Sequence, residues 1–228
     1  MDQKQIVRVL DQLVVGAPTI SVYIMDRSGS MESYAPTPKT ALNQALLTLK
    51  ESPVAERMAA MIVSFADHCT FDVPLQPVSR VQLLETYNPE GGTALYDTLS
   101  AIMNPLIAAC HDCSRRRQGV NIILSIFTDG EDNKSASHSL DEVRALARHA
   151  DSYGWQLYTN GFGVDAASIA ARMGFPSDRN HATSYYGRPQ AQAANITRSV
   201  HAATHTTIVS AYGHASPAND IAPASTPR

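Results

Sequence analysis

Two hydrophobic rhythms alternate along this chain. Ile6, Val9, Leu10 and Leu13 recur at helical spacing, which predicts a short amphipathic helix over residues 3 to 15. Gly16-Ala17-Pro18 breaks it, and Thr19 to Met25 follows as an apolar strand. Leu42, Ala45, Leu46 and Leu49 return to the helical period and predict a helix that stops before Pro53. Met58 to Phe65 is a second apolar strand. Thr70 to Val78, interrupted by Pro74 and Pro77, has the character of an edge strand.

Gly91-Gly92 introduces a long predicted helix from about Thr93 to Cys113, with a kink expected at Pro105. Val120 to Phe127 is apolar at odd and even positions alike, as in a parallel strand covered on both faces. Ser139-Leu140-Asp141-Glu142 is a capping-box pattern, and Leu140, Val143, Ala147 and Ala150 give that helix its core face up to a stop at Gly154. Trp155 to Thr159 predicts a strand, Ala166 to Met173 a helix, Ala182 to Tyr186 a last strand and 191 to 205 a final helix. Strands alternating with helices imply an α/β fold with a parallel sheet covered on both faces. From about Ser210 the composition turns to Ala, Pro, Ser and Thr, so residues 1–208 are expected to form one domain and 209–228 a flexible tail.

Composition narrows the function. With 228 residues, 44% hydrophobic and 17% charged, the chain has the makings of a globular domain with a lightly charged surface. A net charge of −3 gives no electrostatic case for nucleic acid or an anionic membrane. Arg115-Arg116-Arg117 is the one basic cluster, and it suits the C-terminal dipole of the preceding helix. No stretch approaches the roughly 20 apolar residues of a membrane span, and the charged start lacks the apolar core of a signal peptide. Three cysteines cannot make a disulfide framework, so a reduced, cytoplasmic protein is the expectation. Cys110 and Cys113 have C-x-x-C spacing without a second pair, and on one helix face they read as small hydrophobes.

The chemistry collects at strand ends, where open parallel sheets bind ligands. Met25 runs into Asp26-Arg27-Ser28-Gly29-Ser30, and Phe127-Thr128 into Asp129-Gly130. Gly91-Gly92-Thr93 opens a helix and presents a hydroxyl at the same edge. Asp26, Ser28, Ser30, Thr93 and Asp129 therefore supply two carboxylates and three hydroxyls. An all-oxygen set without histidine or thiolate suits a hard divalent cation, Mg²⁺ first and Mn²⁺ next. Five protein groups leave at least one octahedral position for water or a partner.

"DRSGSM", then "GGT", then "TDGED" resembles the von Willebrand factor A (vWA) domain with its metal-ion-dependent adhesion site, in element order over roughly residues 5 to 205. "DRSGSM" and "GGTALYD" look most like bacterial intracellular vWA proteins, including those of tellurium-resistance and related stress clusters. The resemblance implies a Rossmann-like fold whose mostly parallel sheet has one antiparallel edge strand and helices on both faces. It implies that Ser28 and Ser30 bind the ion directly and Thr93 does so in the ligand-engaged state. Asp26 and Asp129 would act mostly through water or by orienting hydroxyls. Neutral hydroxyl ligands leave such an ion under-neutralised, so an Asp or Glu from a partner protein would be attracted to it. A kinase, phosphatase or AAA ATPase encoded nearby would be a fitting partner.

Plainer readings stand beside these. Asp26 to Gly29 has turn composition, Thr93 could cap a helix, and Asp129-Gly130 could be a turn. Asp97 reads as dipole complementation in a first helical turn rather than as a sixth ligand. Gly161-Phe162-Gly163 is similar to part of a dinucleotide loop but lacks its third glycine, so loop geometry is the better reading. His201 and His205 lie at i, i+4 with no third ligand. The competing function is a metal-dependent hydrolase or phosphotransferase using an ion-bound water. Glu32, Glu131 and Asp132 are placeable as its base, none is demanded, and Ser28 is in no nucleophile elbow. A non-enzymatic binding module is the favoured expectation.

Overall fold

The structure, a computed structural model, describes residues 1–13, 17–178 and 180–186. In chain order the elements are α1 (Gln3–Leu10), β1 (Thr19–Asp26), α2 (Thr37–Glu51), β2 (Met58–Phe65), β3 (Cys69–Pro77) and α3 (Leu95–Arg115). There follow β4 (Asn121–Thr128), α4 (Leu140–Ser152), β5 (Gln156–Phe162), α5 (Ala166–Arg172) and β6 (Asn180–Tyr185). The expected helix over 191–205, the 209–228 tail and the His201–His205 pair lie outside the described residues. The helix expected over 3 to 15 is shorter, ending at Leu10 with its cap at Asp11.

One six-stranded sheet has the order β3-β2-β1-β4-β5-β6. Only β3 runs antiparallel, against β2. Its register against β2 slips between Ala60 and Ile62, opposite the stretch holding Pro74, where a missing N–H costs the ladder least. All eight residues of β1 and of β2 are buried, because helices cover both faces and the alternation of a half-wet strand is absent. Ile20, Val22 and Ile24 of β1 pack with Leu99, Ile102 and Leu106 of α3 and Val143 of α4. Tyr23 and Met25 face the other way, onto Leu42, Leu46 and Leu49 of α2. Fully burying each such leucine contributes about 1.5–3 kcal/mol, more than helix propensity varies per residue, so packing decides where these helices sit.

α4 carries the expected capping box, with Ser139 and Glu142 each bonding the other's backbone. Gly154 takes φ +72° just past its end, a left-handed turn that favours glycine. α3 begins two residues later than its pattern suggests and runs through Pro105 without interruption. The carbonyl that Pro105 leaves unbonded belongs to exposed Ala101, where water can replace the lost donor. Cys110 and Cys113 are buried along α3, in keeping with their reading as small hydrophobes. Among the described residues no helix is long and apolar enough to cross a membrane.

Candidate metal centre

The parallel strands end level with one another. Asp26 pairs with Phe65, Met25 with Phe127, and Thr128 with Gly161, so the loops after β1, β2, β4 and β5 leave from one edge. Asp26 is the last residue of β1 and is fully buried. Its Oδ1 accepts the Ser28 N–H at 2.8 Å, and its Oδ2 accepts the Thr128 hydroxyl at 2.6 Å. A two-turn 3₁₀ segment, Gly29–Tyr34, then carries Ser30 beside the strand end. The Ser28 and Ser30 hydroxyls are 3.1 Å apart, and Ser30 donates to Asp129 Oδ1 at 2.9 Å. Four of the five expected residues thus form one hydrogen-bonded chain, Asp26–Ser28–Ser30–Asp129.

Thr93 sits on the adjoining loop, tied to this chain through backbone. Gly29 N–H donates to the Gly91 carbonyl at 3.0 Å. Thr93 itself is buried, its N–H donates to Asn133 Oδ1 at 2.8 Å, and its carbonyl accepts from the N–H groups of Asn133 and Lys134. It does not cap α3: Ala94 holds that position, without a side-chain bond. A Cβ at Gly92 would come within 2.3 Å of Lys134 Cγ and 2.9 Å of Asn133 Oδ1, so a larger residue would displace both side chains. Asp67 accepts the Gly92 N–H at 2.9 Å from the loop after β2.

Burial pushes the Asp26 carboxyl above its usual range, against the pull of hydrogen bonds from Ser28 and Thr128, and the Asp129 charge adds to the rise. Asp129 is raised by the same desolvation, opposed by Ser30. Tyr87, whose hydroxyl donates to the Asp26 carbonyl, is raised by burial and then by both carboxylates. Among the described residues no salt bridge reaches Asp26 or Asp129. Arg27 pairs with Glu90, Lys134 with Asp67, and Arg172 with Glu131. Two desolvated acids bridged by neutral hydroxyls, without a cationic side chain, form a donor set that fits a hard divalent cation.

Several neighbours belong to the site's support rather than to its oxygen set. Thr128 and Tyr87 orient Asp26, and Asn133 holds Thr93. Thr128 was open to reading from its place beside Asp129, whereas Tyr87 and Asn133 carry no local signal. Asp97 lies in the first turn of α3 as expected, and its carboxylate also accepts the N–H groups of Ala136, Ser137 and His138 and clamps the loop before α4. Glu131 and Asp132, placeable as bases, are engaged elsewhere. Glu131 pairs with Arg172, and Asp132 accepts from Tyr96 N–H and Ser135. Gly161 and Gly163 serve packing and turning. A Cβ at Gly161 would meet the Val164 carbonyl at 2.9 Å, and Gly163 takes φ +70°.

No protein-family model and no curated protein matches this chain. Solved structures do. A von Willebrand factor type A protein from Catenulispora acidiphila superposes with a TM-score of 0.55 at 18% identity, over 83% of this chain and 42% of its own. The PilB minor pilin from Streptococcus sanguinis gives 0.59 at 12% identity, over 90% and 64%. Proximal thread matrix protein 1 from the mussel byssus, with a zinc-occupied MIDAS motif, gives 0.50 at 16% identity, over 82% and 46%. The chain therefore spans less than two thirds of the length of each. These likenesses establish the fold as Rossmann-like and of the vWA type.

Proposed function

We propose that this protein is a metal-dependent protein-binding module, a scaffold or adaptor and not an enzyme. Asp26, Ser28, Ser30, Thr93 and Asp129 would hold one Mg²⁺, with Mn²⁺ the next choice. The single observation that carries this reading is the chain Asp26–Ser28–Ser30–Asp129, two raised carboxylates joined by hydroxyls and lacking a cationic side chain. The zinc-occupied motif of the mussel protein supports a divalent ion at this sheet edge. When bound, such an ion supplies an attraction for an Asp or Glu side chain of another protein, since the hydroxyls around it add no neutralising charge. Asp26 anchors the serine loop through its bond to Ser28, and Thr128 fixes the carboxylate's orientation. Ser30 spans to Asp129 and joins two strand ends into one surface.

Glu131 and Asp132 are engaged in structural bonds, which leaves only the exposed Glu32 of the three placeable bases and weighs toward binding over hydrolysis, since a hydrolase needs a base positioned beside its ion. A cytoplasmic assembly of the tellurium-resistance or stress-response type, with a kinase, phosphatase or AAA ATPase as partner, is the setting that the "DRSGSM" and "GGTALYD" loops favour. The test is a pull-down from cell lysate in Mg²⁺ and in EDTA with wild type and Asp26→Ala. A partner retained by wild type in Mg²⁺ alone supports the reading. Metal-dependent hydrolysis of phosphate or ester substrates, lost in Asp26→Ala and Ser28→Ala, would replace it with the enzymatic one.

A further inference from the structure

Beside the serine loop lies a cavity of about 110 Å³ walled by Arg27, Ser64, Asp72, Thr86, Tyr87 and Asn88, with Leu84 its one aliphatic side chain. Two of its four wall segments run straight into the metal centre. Arg27 stands between Asp26 and Ser28, and residues 84–88 lead directly to Gly91–Thr93. Tyr87 belongs to both places, since it lines the cavity and donates to the Asp26 carbonyl. Glu90 N–H donates to the Arg27 carbonyl at 2.7 Å, which fastens the two segments together. Through Tyr87 and Arg27 the opening adjoins the metal centre.

The wall chemistry is specific. The Arg27 side chain is 19% exposed and its Nε donates to Ser64 Oγ at 3.2 Å. Burial raises the Asp72 carboxyl against the pull of Ser64 and Arg27, so a guanidinium donor and a carboxylate acceptor face the same opening. Arg27 Nη1 also pairs with Glu90, whose side chain is 75% exposed. A ligand carboxylate would have to compete with Glu90 for Arg27 and would meet the like charge of Asp72. A ligand ammonium would meet Arg27. An apolar side chain would cover polar walls without pairing them. A carboxamide has the matching edges, an oxygen for Arg27 and an NH₂ for Asp72, and it carries no charge to desolvate.

We propose that this cavity is a side-chain pocket for the carboxamide of an Asn or Gln on the partner chain, read next to the acid captured at the metal centre. The inference rests on the metal-dependent binding reading for its second half, and the test separates the two. Peptides acetyl-Asp-(Gly)n-Gln-amide, with n from one to three, are titrated by NMR against the full chain in Mg²⁺ and in EDTA, beside matched Glu and Leu peptides. At one spacing the Gln peptide should bind about tenfold tighter than the Glu and Leu peptides, the factor of one hydrogen bond to a charged group left unmade. Asp72→Asn should narrow that preference to within about twofold while leaving Mg²⁺ affinity unchanged, and Asn88→Ala, in the exposed wall, guards against a folding defect.

Binding in Mg²⁺ but not EDTA, with Gln, Glu and Leu equal at every spacing, would overturn the pocket and leave the metal reading standing. If no peptide binds in Mg²⁺, the metal reading falls, and propionamide alone decides the pocket. Saturable shifts of the Asn88 side-chain amide with tens of millimolar propionamide, and none with propionate, would support the pocket. No propionamide response would overturn it.

Discussion

Ser30 donates its hydroxyl to Asp129 at 2.9 Å across 99 positions of sequence. The contact follows from β1 and β4 being adjacent, parallel and in register, with Met25 beside Phe127. Strands that end level with one another deliver their loops to one point, so a local acid-and-hydroxyl pattern becomes a shared site.

Metal binding should appear as stability. At an ion concentration one hundred times Kd, the gain is about 2.7 kcal/mol, or roughly 5–10 °C in Tm for a chain of this size. Calorimetry in Mg²⁺ and in EDTA measures it. Asp26→Ala should show no difference between the two buffers, since the anchoring charge and the Ser28 bond are gone together.

Thr93→Ala should separate metal from partner. It deletes one neutral oxygen and leaves both carboxylates, so Mg²⁺ affinity should fall by less than about tenfold while partner affinity falls further. Replacing one Asp or Glu of the partner by its amide should imitate EDTA. Titrating the partner against wild type, Asp26→Ala and Thr93→Ala gives the order. Equal affinity throughout would place recognition on another face.

Asp97→Ala should loosen the loop before α4 without touching the oxygen set. Three backbone N–H groups lose their acceptor, on residues of which two are exposed, so the cost is about 1–2 kcal/mol. Urea denaturation gives the loss, and hydrogen exchange should quicken at Ala136, Ser137 and His138 first.

Burial pushes the Cys110 thiol up to about 11 from an ordinary 9.0. The folded state then favours the neutral thiol, and its contribution is lost as pH rises between those values, because the unfolded chain ionises first. Wild type should lose about 2 to 3 kcal/mol more than Cys110→Ala between pH 9 and 11. Urea melts across that range check the slope. At pH 8, alkylation of Cys110 by iodoacetamide should be no faster than global unfolding.

The strand-end motifs were readable because each lies within a few residues of chain. Asp26, Ser28 and Ser30 share one turn, and a polar loop after an apolar run is a local signal. Thr93 was readable as a hydroxyl at the sheet edge, but its hold by Asn133 comes from 40 positions away. Asp97 was readable as a first-turn acid, but the backbone amides it also holds lie on another loop about 40 positions away. The long helix, expected to kink at Pro105, continues unbroken through it, where the carbonyl left unbonded belongs to exposed Ala101.

The alternation of apolar runs and helical periods determined the α/β class, most element positions and the edge character of β3, because side-chain period and proline sterics act over a few residues. Strand order was decided only in three dimensions. Which strands lie beside β1 depends on which faces bury best against each other, a competition among distant segments that no local window contains. That competition set β4 next to β1, carried Asp129 to Ser30, and folded residues 84–90 against Arg27. The oxygen donors were therefore written in the chain, while their meeting, and the polar cavity beside them, were made by packing.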